Sequence, residues 1–241
     1  MSKIALITGG NKGIGFETAR QLAQQGVQVL IGSRQPAKGA EAARRLKDEG
    51  LAAEALTLDV TDAASIAAAA REVTQKHGRL DILINNAGVM LDDPAQKPSA
   101  QTIDVWRRTF ETNVFGLIAV TQAFLPLLAK SPAGRIVNLS SLLGSISLHS
   151  DLSSPIYGYV VPAYNVSKTA VNGWTAQLAF ELKDGPIKVN AAHPGHVKTD
   201  MGGAAAPMEI VDGAKTSVRL ALLGPDGPSG GYFHLGEKLP W

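Results

Sequence analysis

The chain reads as a doubly wound α/β protein, a single domain on one parallel sheet of about seven strands with helices on both faces. Three observations lead there. Short apolar runs rich in Val, Ile and Leu alternate with longer amphipathic stretches from end to end. The apolar runs are nearly continuous rather than alternating with polar residues, which suits strands buried on both faces. The strand–helix rhythm also recurs at the spacing of right-handed crossovers between parallel strands.

In chain order the strand candidates are Lys3–Thr8, Val27–Gly32, Ala53–Leu58, Asp81–Asn85, Arg135–Leu139, Lys188–His193 and Gly231–His234. Helical periodicity fills about Gly13–Gln25, Ala37–Glu49, Ala63–His77, Ile103–Lys130, Ala163–Leu182 and Met208–Leu222. Gly26 and Gly50 stop the first two helices, and the turn Asp59-Val60-Thr61-Asp62 supplies caps for the third. A length of 241 residues, 45% of them hydrophobic, suits one sizeable core. No linker or repeat interrupts the rhythm, and Gly202–Pro207 reads as a mobile loop beside a site.

Composition removes several function classes. The net charge is +2 with 18% charged residues, which calls for neither a nucleic-acid partner nor an acidic membrane and leaves room for one anionic ligand. The absence of cysteine excludes disulfides, Cys-zinc sites and thiol catalysis. The N-terminal apolar run meets glycine too early for a signal peptide, and no apolar run reaches the roughly 20 residues that span a bilayer. A soluble cytoplasmic protein is expected.

The first strand ends in Thr8-Gly9-Gly10-Asn11-Lys12-Gly13-Ile14-Gly15 and runs straight into a helix. Glycines let the backbone turn tightly and approach a pyrophosphate, whose charge the helix N-terminus meets. Thr18 stands where G-x-G-x-x-G needs its third glycine, and Phe16 where a Walker loop needs lysine. Tyr164 and Lys168 lie four apart on a helix and so share a face. A free tyrosine, with a pKa of about 10, is a poor base near neutrality, and a neighbouring ammonium favours the phenolate. At the end of the second strand, Ser33 takes the place where Asp or Glu would bind both ribose hydroxyls of an unphosphorylated dinucleotide. Arg34 and Lys12 beside it make a pocket for a 2′-phosphate, so NADP(H) is the expected cofactor.

The pattern T-G-x-x-x-G-x-G resembles the cofactor turn of the short-chain dehydrogenase/reductase family, which has the Rossmann arrangement, and further motifs follow in that family's order. Asn85-Asn86-Ala87-Gly88 matches N-N-A-G, Ser141 begins S-x-x-G, Tyr164-Asn165-Val166-Ser167-Lys168 is Y-x-x-x-K, and Pro194-Gly195-His196-Val197-Lys198-Thr199 matches P-G-x-V-x-T. The resemblance covers essentially the whole chain. It implies that Gly9, Asn11, Lys12, Gly13, Ile14 and Gly15 cradle the cofactor's phosphates. It places Asp59 and Val60 at the adenine, and Asn86, Ala87 and Gly88 along the ribose. Pro194, Gly195, Val197 and Thr199 fall at the nicotinamide, Thr199 on its carboxamide. Tyr164 and Lys168 bind the nicotinamide ribose, and Asn113 holds a water that relays protons. Ser141 can then hydrogen-bond a substrate carbonyl and hold the oxyanion.

Competing residues fall away. Tyr157 and Tyr159 have no lysine four positions on, and Ser140 lacks the S-x-x-G spacing. His193 and His196 have no third ligand for a metal, and His149 with Asp151 has no G-x-S-x-G serine to serve. The expected activity is NADPH-dependent reduction of a small ketone or aldehyde. Its rivals are alcohol oxidation with NADP and a catalytically silent NADP-binding sensor, against which the full set of Ser141, Tyr164, Lys168 and Asn113 argues. Ser141 and Tyr164 are 23 positions apart, about ten more than in compact family members, and the extra segment around Ser147–Tyr157 is expected to shape the substrate pocket. A homo-oligomer, dimer or tetramer, is also expected.

Overall fold

The structure, a computed structural model, describes residues 2–241. Its strands are β1 (Ile4–Thr8), β2 (Gln28–Ser33), β3 (Ala53–Thr57), β4 (Ile82–Asn85), β5 (Arg135–Leu139), β6 (Lys188–Ala192), β7 (Gly231–His234) and β8 (Glu237–Lys238). They form one sheet in the order β3-β2-β1-β4-β5-β6-β7-β8, parallel throughout except for β8. The helices are α1 (Gly13–Gln24), α2 (Pro36–Asp48), α3 (Ala63–His77), α4 (Ile103–Phe110), α5 (Leu117–Leu128), the single turn α6 (Ile146–His149), α7 (Pro162–Glu181) and α8 (Ile210–Ala221).

Alternate strand residues feed two cores. Ala5, Ile7, Val29, Ile31, Ile82, Ile84 and Val137 face one way and pack with residues of α1, α2 and α8. Ile4, Leu6, Leu30, Leu83, Ile136 and Val189 face the other way, against α3, α5 and α7. Burial on both faces is why these strands carry unbroken apolar runs. Gly26 and Gly50 take φ of 77° and 78° after α1 and α2, and Asp62 caps α3 by accepting from Ala64 N at 2.9 Å.

The sheet agrees with the expected parallel layout of about seven strands, and two other expectations need correction. The sheet has eight strands, because the chain reverses through Leu235 (φ 46°) and Gly236 (φ 98°) into the two-residue β8, too short to carry a periodic signal. The expected helix Ile103–Lys130 is broken: a π-helical segment, Glu111–Gly116, separates α4 from α5. At its end the bare Cα of Gly116 lies against the turn after β3, where a Cβ would stand 2.6 Å from Val60 O. Finally, the run Ile103–Leu128 is long and apolar enough by length and composition to cross a membrane, although no such run was expected. Half of its apolar window is buried inside the protein, with Val120, Phe124, Leu127 and Leu128 in the second core, which explains its composition without a bilayer.

Chain order reverses at β1, which lies between β2 and β4, so the loops leaving β1 and β4 diverge and open a crevice at their carboxyl ends. Gly116→Ala is expected to lower stability by about 1–3 kcal/mol, because the Val60 oxygen belongs to main chain and cannot swing aside. Gly173→Ala in α7, where nothing lies within 4 Å of the new Cβ, should instead be neutral or stabilising by up to about 1 kcal/mol. Thermal unfolding of the two variants side by side checks both.

Candidate active site

At the crevice the glycine turn is shaped by backbone geometry. Gly9 (φ 61°) and Gly13 (φ 55°) occupy the left-handed region that a side chain disfavours. Lys12 precedes α1 without a side-chain cap and the first turn holds no acid, so the opening N–H groups remain for an anion. Asn86 braces the turn from the neighbouring strand, its Nδ2 donating to Thr8 O at 2.8 Å and Gly9 O at 3.2 Å. Asn86 N and Ala87 N in return donate to Thr8 Oγ1, each at 3.0 Å. A Cβ on Gly13 would face Thr199 Cγ2 at 3.7 Å, so the P-G-x-V-x-T segment forms the opposite wall. This uncapped, glycine-lined cradle fits the diphosphate of a dinucleotide.

The second-strand pocket is partly different from expectation. Arg34 is exposed and carries no ion pair among the described residues. Ser33, however, is buried and its hydroxyl turns back on the Gln35 main chain, donating to its O at 3.0 Å. Lys12 does not stand free beside Arg34 but pairs with Asp200 at 2.5 Å, since an extended lysine takes the nearest carboxylate. Both partners are largely exposed, so the pair is weak and exchangeable. One oxygen of Asp59 accepts from Thr61 N and Oγ1 at 3.0 and 2.8 Å, so this carboxylate first of all shapes the turn into α3.

The proposed reacting groups do converge. Tyr164 and Lys168 share a face of α7, with Nζ 5.6 Å from the phenol ring centroid, and the Ser141 hydroxyl is in hydrogen-bonding reach of the phenol. Gly88 completes the wall: a Cβ there would stand 3.4 Å from Asn113 Oδ1 and 3.6 Å from Lys168 Nζ. Ser140 faces inward and donates to Asn172 Oδ1 at 2.6 Å, which separates its role from that of Ser141.

Electrostatics correct one expectation about this pair. Burial pushes the Tyr164 phenol up to about 12, outweighing the Ser141 hydrogen bond that lowers it. Lys168 does not offset this, because its Nζ donates to Leu139 O at 2.8 Å, and burial pushes it down to about 8. The free protein at neutral pH therefore keeps the proton on Tyr164 and stores it as an acid.

Asn113 also behaves differently. It is fully buried, with Oδ1 accepting from Val89 N (2.8 Å) and Nδ2 donating to Val89 O (2.8 Å) and Ser167 Oγ (2.9 Å). The Nδ2 donors are both engaged and Oδ1 holds one amide, so the side chain braces the loop after β4 against α7. Two residues escaped sequence reasoning. His193 Nδ1 accepts from Leu142 N at 3.1 Å and Gly195 N at 3.4 Å, tying the serine segment to the Pro-Gly turn, while its ring lies 4.8 Å from that of His234. Burial, with His234 beside it, pushes His193 down to about 3, so it is neutral. Asp92 receives the N–H groups of Ala163 and Tyr164. Leu142 lies 51 positions from His193, and the α7 amides 71 and 72 from Asp92, and no motif marks either residue.

The segment between Ser141 and Tyr164 is fastened rather than loose. His149 Nε2 lies 3.0 Å from Leu143 O, Asn165 Nδ2 donates to Tyr159 O at 3.0 Å, and Ser145 Oγ donates to Trp241 O at 3.2 Å. Leu152, Tyr157, Tyr159 and Val160 on it remain exposed.

Residues 3–210 match the family model for short chain dehydrogenase. The chain is 32% identical to a (+)-neomenthol dehydrogenase from Capsicum annuum, covering 98% of this chain and 96% of that one. It is 33% identical to a (−)-isopiperitenone reductase from Mentha piperita, covering 99% and 98%. The crystal structure of NADPH-bound carbonyl reductase from chicken fatty liver superposes with a TM-score of 0.85 at 28% identity, covering 100% of this chain and 99% of that one. With its sheet order, its glycine turn and its Ser141–Tyr164–Lys168 cluster, the chain belongs to the short-chain dehydrogenase family.

Proposed function

We propose that the protein reduces a ketone or aldehyde to an alcohol with NADPH, and that Tyr164 donates the proton. The observation that carries this reading is the buried Tyr164 phenol, protonated at neutral pH and within reach of Ser141. Ser141 donates a hydrogen bond to the carbonyl oxygen and polarises it, and the oxygen takes its proton from Tyr164 Oη. Lys168 presents its ammonium beside Gly88, where the nicotinamide ribose would lie, and Asn113 keeps Val89 and Ser167 in place around it. A bound nicotinamide supplies the hydride that completes the reduction at the carbonyl carbon.

Reductases among the relatives, and NADPH in the carbonyl reductase, support both the direction and the cofactor. Arg34, with no carboxylate at position 33 or 34 to oppose it, favours the phosphorylated cofactor. Alcohol oxidation, which needs the phenolate, is the reverse of the same chemistry and gains as pH rises. A homo-oligomer belongs to the same reading: Phe115, Val166 and Phe180 stay exposed on the π-helical segment and α7, and sedimentation at several concentrations tests it.

Tyr164→Phe should keep NADPH affinity and lower turnover at least about a hundredfold. A screen of ketones, aldehydes, quinones and sugars supplies the substrate, and turnover near wild type would remove Tyr164 from the mechanism. Arg34→Asp should raise the KM for NADPH far more than that for NADH, because it sets a carboxylate against the 2′-phosphate. Unchanged kcat/KM ratios for the two cofactors would defeat that pocket.

Lys168→Met should abolish turnover yet stabilise the folded protein at neutral pH by on the order of 1–3 kcal/mol, since it removes a buried ammonium. The folded pKa of about 8 lies below the usual 10.5, so the burial cost is full below pH 8 and is relieved as pH rises from 8 towards 10.5. The advantage of the variant should shrink across that window, as thermal melts at pH 7 and pH 10 would show.

A further inference from the structure

We propose that Asp92 is a positioning residue for Tyr164, its carboxylate seating the start of α7 against the loop that follows β4. The inference rests on the assignment of Tyr164 as proton donor. The opening N–H groups of a helix have no partner inside it. In α7 the preceding residue, Val161, offers no side-chain cap, and Pro162 has no N–H to satisfy. The next two amides are Ala163 N and Tyr164 N. They donate to the two separate oxygens of Asp92, at 2.7 and 3.0 Å, from 71 and 72 positions away.

These contacts close a ring around the phenol's own backbone. Tyr164 O accepts from Ser167 Oγ at 2.7 Å, and Ser167 Oγ accepts from Asn113 Nδ2 at 2.9 Å. Asn113 grips Val89 through both N and O, and three residues further along the same loop Asp92 returns to Tyr164 N. The Tyr164 main chain is thus held at its N–H and its carbonyl by partners traced to one loop. That loop continues directly from Asn86-Ala87-Gly88, which borders Lys168. A shift of this loop is therefore passed to the phenol, and the phenol's place relative to Ser141 depends on Asp92.

Ser141 from the segment after β5, Lys168 on α7 itself and Tyr232 from β7 are the polar or titratable groups facing Tyr164. Asp92 meets Tyr164 on the other side, at its main-chain N–H, and so acts on the phenol through its position.

The test compares Asp92→Ala, Asp92→Asn and Tyr164→Phe on the best substrate of the carbonyl screen, with the product alcohol and NADP for the reverse direction. Asp92→Ala should lower kcat about tenfold or more with the KM for NADPH within about threefold. In the cofactor-free protein it should also speed hydrogen exchange at the Ala163 and Tyr164 amides. Asp92→Asn keeps one acceptor, so kcat should fall less. Its KM for NADPH should stay within the same threefold, so that the loss is again one of kcat. A folded Asp92→Ala with wild-type kcat leaves Asp92 a helix cap that affects only the melting temperature, and an Asp92→Asn that recovers none of the lost kcat shows that the bond to the α7 amides is not what matters; either result overturns the proposal. If Asp92→Ala fails to fold, Asp92→Ser, which keeps an uncharged cap, answers through the same readouts. An active Tyr164→Phe would sink the proton-donor assignment instead, whereas an inactive one beside unaffected Asp92 variants sinks only this inference.

Discussion

Where β1 and β4 end side by side, Thr8 and Asn86 exchange hydrogen bonds in both directions. The Asn86 amide fills Thr8 O and Gly9 O, while Thr8 Oγ1 takes the N–H groups of Asn86 and Ala87. Strand ends that diverge around a crevice lose their ladder partners, and buried main-chain polar groups left unpaired there would each cost about 1–3 kcal/mol. This reciprocal set satisfies them without closing the crevice. Gly15 follows from it, since a Cβ at that position would stand 2.4 Å from Asn86 Nδ2. The direction of α1, and with it the free N–H groups at its start, depends on the same contact.

A second constraint is the burial of titratable groups where the chemistry is expected. Tyr164 and Lys168 are 8% and 4% exposed, and each is driven toward its neutral form. The buried ammonium is compensated in part by its bond to Leu139 O and by the Tyr164 ring beneath it. Such a site is maintained because its surroundings over-determine it: Asn113, Ser167, Asp92 and His193 fix the main chain on every side, so the two side chains have few alternatives. The arrangement suits an acid that must hold its proton until a carbonyl oxygen arrives, more than a base poised to remove one.

The cofactor side is looser. Lys12 and Asp200 meet across the glycine turn on largely exposed side chains, and Arg34 has no ion pair among the described residues. Exposed charges of this kind reorganise readily around an anion, which is consistent with a pocket for phosphate that is completed by its ligand.

Residue order alone determined the seven parallel strands, most of the helices that cover them and the positions of the glycine turn, Ser141, Tyr164 and Lys168. Those features repeat with a period or sit at fixed spacing, and a period of apolar residues is enough to decide which face is buried. The helix through Ile103–Leu128 shows where this stops, because its π-helical break leaves the apolar pattern nearly intact. Asn113 was found by its motif, yet what its amide holds was not. The roles of Asp92 and His193, the turning of Ser33 onto Gln35 and the diversion of Lys12 to Asp200 have no local signature either. They are hydrogen bonds and ion pairs, some between residues 51 to 188 positions apart, and their geometry is settled only when packed strands bring loop ends within about 3 Å. The same holds for the pKa of Tyr164: a lysine four residues away is visible in the sequence, but whether it faces the phenol or a carbonyl, and how much water remains, is decided by the tertiary fold.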